Sequence, residues 1–120
     1  MWHCRLLAPA EWGAHSSSWW DTGRLQVGDM THAEWLADLG LLSPEYRRDW
    51  QHKRLPLVVV LPGPMVFCLD FRAHDKQGRL LANGWTVTGE APRITVHPSI
   101  DTSTRRPGGW HGWIRDGVIT

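Results

Sequence analysis

Pro56 and Pro62 enclose the run Leu57-Val-Val-Val-Leu61, three valines between two leucines. β-Branching restricts χ1 and favours a pleated backbone, and the flanking prolines keep the run from belonging to a longer helix. So short an apolar segment predicts a strand with both faces buried. Even counted from Leu55, it falls far short of the roughly 20 apolar residues that a membrane-spanning helix needs. Pro62-Gly63-Pro64 reads as a turn, and Met65 to Phe71 as the return strand. Strand periodicity puts Met65, Phe67, Leu69 and Phe71 on one face, with Val66, Cys68 and Asp70 on the other.

The remaining C-terminal sequence keeps this strand-and-turn rhythm. Trp85–Thr88 and Arg93–His97 read as strands joined by Gly89-Glu-Ala-Pro92. Pro98 cannot donate to a ladder, so it is expected to end the second of them and open a loop to Gly109. Trp110–Ile114 is a further strand. Asp116-Gly117 is a type I′ hairpin signal that folds Val118–Thr120 back as a closing strand.

Upstream, the pattern is different. Residues 1–30 read as an irregular Trp-rich arm, with a short strand near Cys4–Leu7 and a long ordered loop over 12–23. Residues 31–54 predict two short helices. Thr31 and Glu34 fit a capping box, and Gly40 fits a C-cap. Ser43 and Pro44 then fit the N-cap and first position of a second helix, on which Tyr46 and Trp50 share a face. The expected architecture is a single α+β domain over 1–120, with short N-terminal helices packed on an antiparallel β-sheet formed by the C-terminal half, residues 55–120.

Thirteen basic residues against 12 acidic ones exclude a polycation and make a dedicated nucleic-acid binder a poor fit. The first residues lack a signal-peptide pattern, and two cysteines cannot frame a disulfide-dense domain. A soluble intracellular protein is therefore expected. Nine tryptophans supply most of the aromatic volume. Each indole N–H needs a partner when buried, so the rings serve either as core filler with a few at the surface, or as a protein-docking face. On the second reading the partner-binding residues are Trp12, Trp19, Trp20, Trp110 and Trp113, with Arg105 and Arg106 on the basic loop.

Three chemistries can be weighed. His97, His111, Cys68, Asp70 and His74 lie on or beside the expected sheet, but no C-x-x-C, H-x-x-x-H or H-E-x-x-H spacing gathers them. The expectation is no metal and no cofactor; a zinc ion, if bound, would use Cys68, His97 and His111. Ser99, Asp101 and His97 lie close in sequence around Pro98. With no glycine-lined nucleophile elbow, Ser99 reads as a loop residue and no catalytic residue is expected. Phosphate-cradling glycine motifs are missing as well.

Three blocks in order, Gly84-Trp-Thr-Val-Thr-Gly-Glu-Ala-Pro92, Ile94-Thr-Val-His-Pro-Ser-Ile100 and His111-Gly-Trp-Ile-Arg-Asp-Gly-Val118, resemble an uncharacterised family common in tailed phages and prophages. Leu42-Ser-Pro-Glu-Tyr-Arg-Arg-Asp-Trp50, with Arg54-Leu-Pro-Leu57, extends that resemblance to about residues 28–120. It implies a non-catalytic phage protein that binds a protein partner or self-assembles, as a capsid or tail component. The alternatives it leaves are an early inhibitor of a host or defence factor, and a small zinc-binding module or enzyme. The implied location is the host cytoplasm or the virion, with no membrane, nucleic-acid or small-molecule partner. Some broader relatives carry a Cys-His pair where this chain has Trp110-His111, which leaves only His111 and Cys68 at zinc-ligand positions.

Overall fold

In the computed structural model, the described residues are 1–13, 19–35, 56–69, 86–103 and 109–120. In chain order their elements are β1 (Trp2–His3), β2 (Arg5–Leu6), α1 (Pro9–Trp12), β3 (Asp29–His32), β4 (Leu57–Leu61), β5 (Met65–Cys68), β6 (Thr86–Thr88), β7 (Thr95–Asp101), β8 (His111–Arg115) and β9 (Val118–Ile119). The strands form two sheets. The first runs β1-β9-β8-β7-β6 and the second β2-β3-β4-β5. Among the described residues the domain is small and β-rich with very little helix; the expected C-terminal strands are present but divide between two sheets, and most of the expected helical segment lies outside the described residues.

The proline-bounded run is β4, and all five of its side chains are buried. Leu57, Val59 and Leu61 face the first sheet. They pack with Met30, Phe67 and Leu69 against Ile94, Val96, Ile100, Ile114 and Ile119. Val58 and Val60 face the opposite way, into a second cluster with Trp12, Ala33 and Trp35. Return strand β5 divides as its periodicity predicts. Phe67 and Leu69 join the first cluster, whereas Val66 and Cys68 pack against the second.

The N-terminal residues are not an irregular arm. β1 pairs antiparallel with β9, and β2 pairs parallel with β3. Cys4 sits at the crossing between the sheets, its amide donating to the Gly117 carbonyl at 2.7 Å while Arg5 N donates to Gly28 O at 2.9 Å. Arg5 and Asp29, opposite each other in the parallel register, form a two-point ion pair at 3.1 and 3.2 Å. The buried Asp29 carboxylate also accepts the Gln26 amide at 2.9 Å, so each of its oxygens has a donor.

Burial pushes the Cys4 thiol up to about 11. At pH 8 its thiolate fraction is then about 10⁻³, against roughly a quarter for an ordinary cysteine. Iodoacetamide at pH 8 is expected to modify the Cys4 peptide at least about 100-fold more slowly in the native protein than in urea. Peptide mapping reads this directly, and comparable rates in the two states would contradict the burial.

Thr31 does not cap a helix. It lies inside β3 opposite Val58, fully buried, and its hydroxyl donates to Leu7 O at 2.9 Å. Three ladder positions with β4 and this buried bond outweigh a local capping pattern. The rest of the predicted helical segment, residues 36–54, lies outside the described residues, as do Phe71 and Trp85. Among the described residues, no helix is long and apolar enough to cross a membrane.

Asp116 and Gly117 both take positive φ, 46° and 75°, as a type I′ turn requires. A Cβ on Gly117 would also stand 2.7 Å from Pro92 O, so the turn and the packing beneath it both call for glycine. Pro98, by contrast, does not end a strand, because β7 continues through it to Asp101. Val96 pairs with Ile114 and Ile100 with Gly112, so four steps along β7 match two along β8. Pro98 falls in this irregular stretch, where no regular ladder amide is required of it.

Candidate active site

The irregularity in β7 shapes the outer face of the first sheet. Val96 and Ile100 turn inward and are buried, while His97 and Asp101 are exposed and Ser99 is half-buried. On β8, Gly112 and Ile114 turn inward, and His111, Trp113 and Arg115 are exposed. Gly112 is needed here, since a Cβ would collide with the Trp110 ring. The extra residues of β7 carry Ser99 toward His111, whose Cα partner in the ladder is Asp101. Ser99 Oγ lies 2.9 Å from His111 Nε2.

A hydroxyl within hydrogen-bond reach of an imidazole is the elementary unit of serine nucleophilic catalysis. With the proton of the neutral ring on Nδ1, the Ser99 hydroxyl donates to Nε2, the orientation needed for proton removal. The hydroxyl and amide of Ser103 hold the Asp101 carboxyl below its usual value, with a smaller contribution from the charge of His111. The lowered Asp101 carboxyl thus favours its anionic form on the strand next to His111.

Two features fix the imidazole and the end of the strands. Trp113 stacks on His111 with centroids 5.6 Å apart and planes 28° apart. Beyond the last ladder pair, the fully buried Thr102 clamps Trp110. Its amide donates to Trp110 O at 2.7 Å, and its hydroxyl accepts the Trp110 amide at 2.8 Å. This clamp holds the two ends of the 103–109 connection together directly beside Asp101 and His111.

The expected site residues are distributed differently. Trp12 is fully buried, so it is a core ring and cannot serve as a docking ring. Trp19 is half-buried and meets Trp35 edge-on at 5.4 Å. Trp20 and Trp113 are exposed, and Trp110 is half-buried in the clamp. Arg105 and Arg106, like the metal candidates Asp70 and His74, lie outside the described residues. The conditional zinc ligands do not converge: Cys68 packs on the far side of the second sheet, whereas His97 and His111 are exposed on the first. Among the described residues no three His, Cys, Asp or Glu side chains gather in a metal-binding group.

Ser99 was grouped in sequence with His97, yet its partner is His111, twelve positions away. The missed signal lay in the strand arithmetic. The Asp116-Gly117 turn fixes β8, and a hairpin returning to β7 brings the segment around 99–101 alongside 111–113.

No curated protein and no solved structure matches the chain. Residues 66–120 match a family model described as "Bacterial ubiquitination-like system serine protease (BubE)". All three sequence blocks fall inside that range, including the P-S-I block that supplies Ser99 and the block that begins with His111. The match overturns the expected kinship with tailed-phage proteins, together with the non-catalytic virion role and the alternatives attached to it. It likewise overturns the expectation that the protein is not an enzyme: in its C-terminal half the chain is similar to a serine protease of a bacterial ubiquitination-like system.

Proposed function

We propose that this protein is a serine peptidase acting on protein substrates, with Ser99 as nucleophile and His111 as general base. The 2.9 Å contact between Ser99 Oγ and His111 Nε2 carries this reading, inside the segment that matches a serine protease family. Ser99 Oγ attacks the scissile carbonyl carbon while its proton passes to His111 Nε2. The resulting imidazolium donates that proton to the departing amine as the C–N bond breaks, leaving an acyl ester on Ser99. Water then loses a proton to His111 as it attacks the ester, and the proton returns to Ser99 Oγ as the acid departs. Asp101, the Cα partner of His111 in the ladder, places a carboxylate on the neighbouring strand. Because the pair lies on an open sheet face, a protein substrate that covers it also excludes water and strengthens these interactions.

The direct test is labelling with a fluorophosphonate probe, followed by peptide mapping. The expected adduct is on Ser99, and it is lost in His111→Ala. Absence of labelling at Ser99 in folded protein would remove the nucleophile and the reading with it.

A further inference from the structure

Beyond the reacting pair, β8 continues outward as His111, Trp113 and Arg115. Trp113 stacks on His111, and the guanidinium carbon of Arg115 lies 5.2 Å from the centroid of the Trp113 ring. The three side chains make one continuous ladder leading away from the imidazole. Arg115 faces Val118 on β9, which in turn faces His3 on β1, so a second basic side chain stands two strands across from Arg115. Among the described residues, no carboxylate lies within ion-pair distance of Arg115. The neighbouring Asp116 is held at the hairpin tip, its amide donating to Thr95 Oγ1 at 3.0 Å.

An arginine resting on an indole face keeps its charge and much of its orientation, so it loses little freedom when it takes up a carboxylate. From this geometry, and resting on the peptidase reading above, we infer that Arg115 on its Trp113 platform is a specificity-determining residue. It selects substrate segments that carry an acidic side chain about four residues from the bond that is cut. The spacing follows from strand geometry. Four positions at about 3.3 Å each separate His111 from Arg115 by roughly 13 Å, and an extended peptide lying along β8 advances by the same step. Its sheet-facing side chains recur every second residue, so the residue over Arg115 falls in phase with the residue over His111.

The test uses the full chain and a mixed peptide library whose cut sites are read by mass spectrometry. Wild-type protein is expected to enrich Asp or Glu about 2- to 5-fold at one position, three to five residues to one side of the cut. The enrichment should shrink as salt is raised. Arg115→Glu is expected to replace it with Lys or Arg at the same position. Arg115→Gln keeps a planar group over the indole and should cut with no charge preference there; it serves if the charge reversal disturbs folding. Identical preferences in wild type and both variants, with all three cutting the library, would overturn the inference while leaving the peptidase intact. Failure of the wild type to cut any peptide, together with an unlabelled Ser99, would overturn both.

Discussion

Ser99→Ala is expected to lower the rate of peptide cleavage by at least about 10³-fold, because it removes the only atom proposed to form the acyl bond. His111→Ala should fall to a similar level, since the hydroxyl then has no base at 2.9 Å. The double variant should be no slower than either single one, because nucleophile and base act as a unit and their losses do not add. Folding should be almost untouched. Ser99 and His111 belong to a solvent-facing side of the sheet, and substitutions there generally stay within about 0.5 kcal/mol. Steady-state kinetics beside a denaturation curve separates the two effects. Undiminished cleavage by folded Ser99→Ala would place the nucleophile elsewhere.

The largest effect on stability is expected in the second cluster, on the face of β4 turned away from the first sheet. Trp12 is fully buried against Val58, Val60, Ala33 and Trp35, and its indole N–H donates to Trp19 O at 3.0 Å. Trp12→Ala opens a cavity beneath the central strand and strands that carbonyl, a change of about 3–5 kcal/mol. A domain of this size has only about 5–15 kcal/mol in total, so a large fraction of the variant should be unfolded or close to it at ambient temperature. Trp20, 63% exposed, is the matched control, and Trp20→Ala should shift stability by no more than about 0.5 kcal/mol. Urea midpoints measured on both variants check the pair. Equal midpoints would mean that Trp12 is not part of the core.

These two residues also show where sequence reasoning reaches and where it stops. The buried strand β4, the two faces of β5 and the Asp116-Gly117 turn were legible because each is set by a few adjacent residues: β-branching, alternation, and the need for positive φ. Thr31 was misread because a capping box is a local pattern. The ladder to β4 that captured it depends on residues more than twenty positions away. Trp12 lies in a segment with the composition of a surface loop, and only the second cluster across β4 accounts for its burial. The Ser99–His111 pair was hidden for a third reason. It requires two strands to be out of step between Val96 and Ile100, and a proline that reads as a strand terminator is what the irregular stretch accommodates.

The opening strands have a consequence for how the molecule comes into being. Trp2 pairs with Ile119 and His3 with Val118, while Cys4 N reaches Gly117 O, so residues 2–4 close against residues 117–119, more than a hundred positions away. Contacts of such long sequence separation are slow to form, because closing the intervening loop costs entropy before any pairing rewards it. On the ribosome, the second sheet, built from strands within residues 5–68, can assemble before β6 to β9 have emerged. The first sheet cannot form so early, since β1 finds its partner β9 more than a hundred positions further along the chain. His111 also follows Ser99 in the chain, so the proposed nucleophile has no base until β8 has paired with β7.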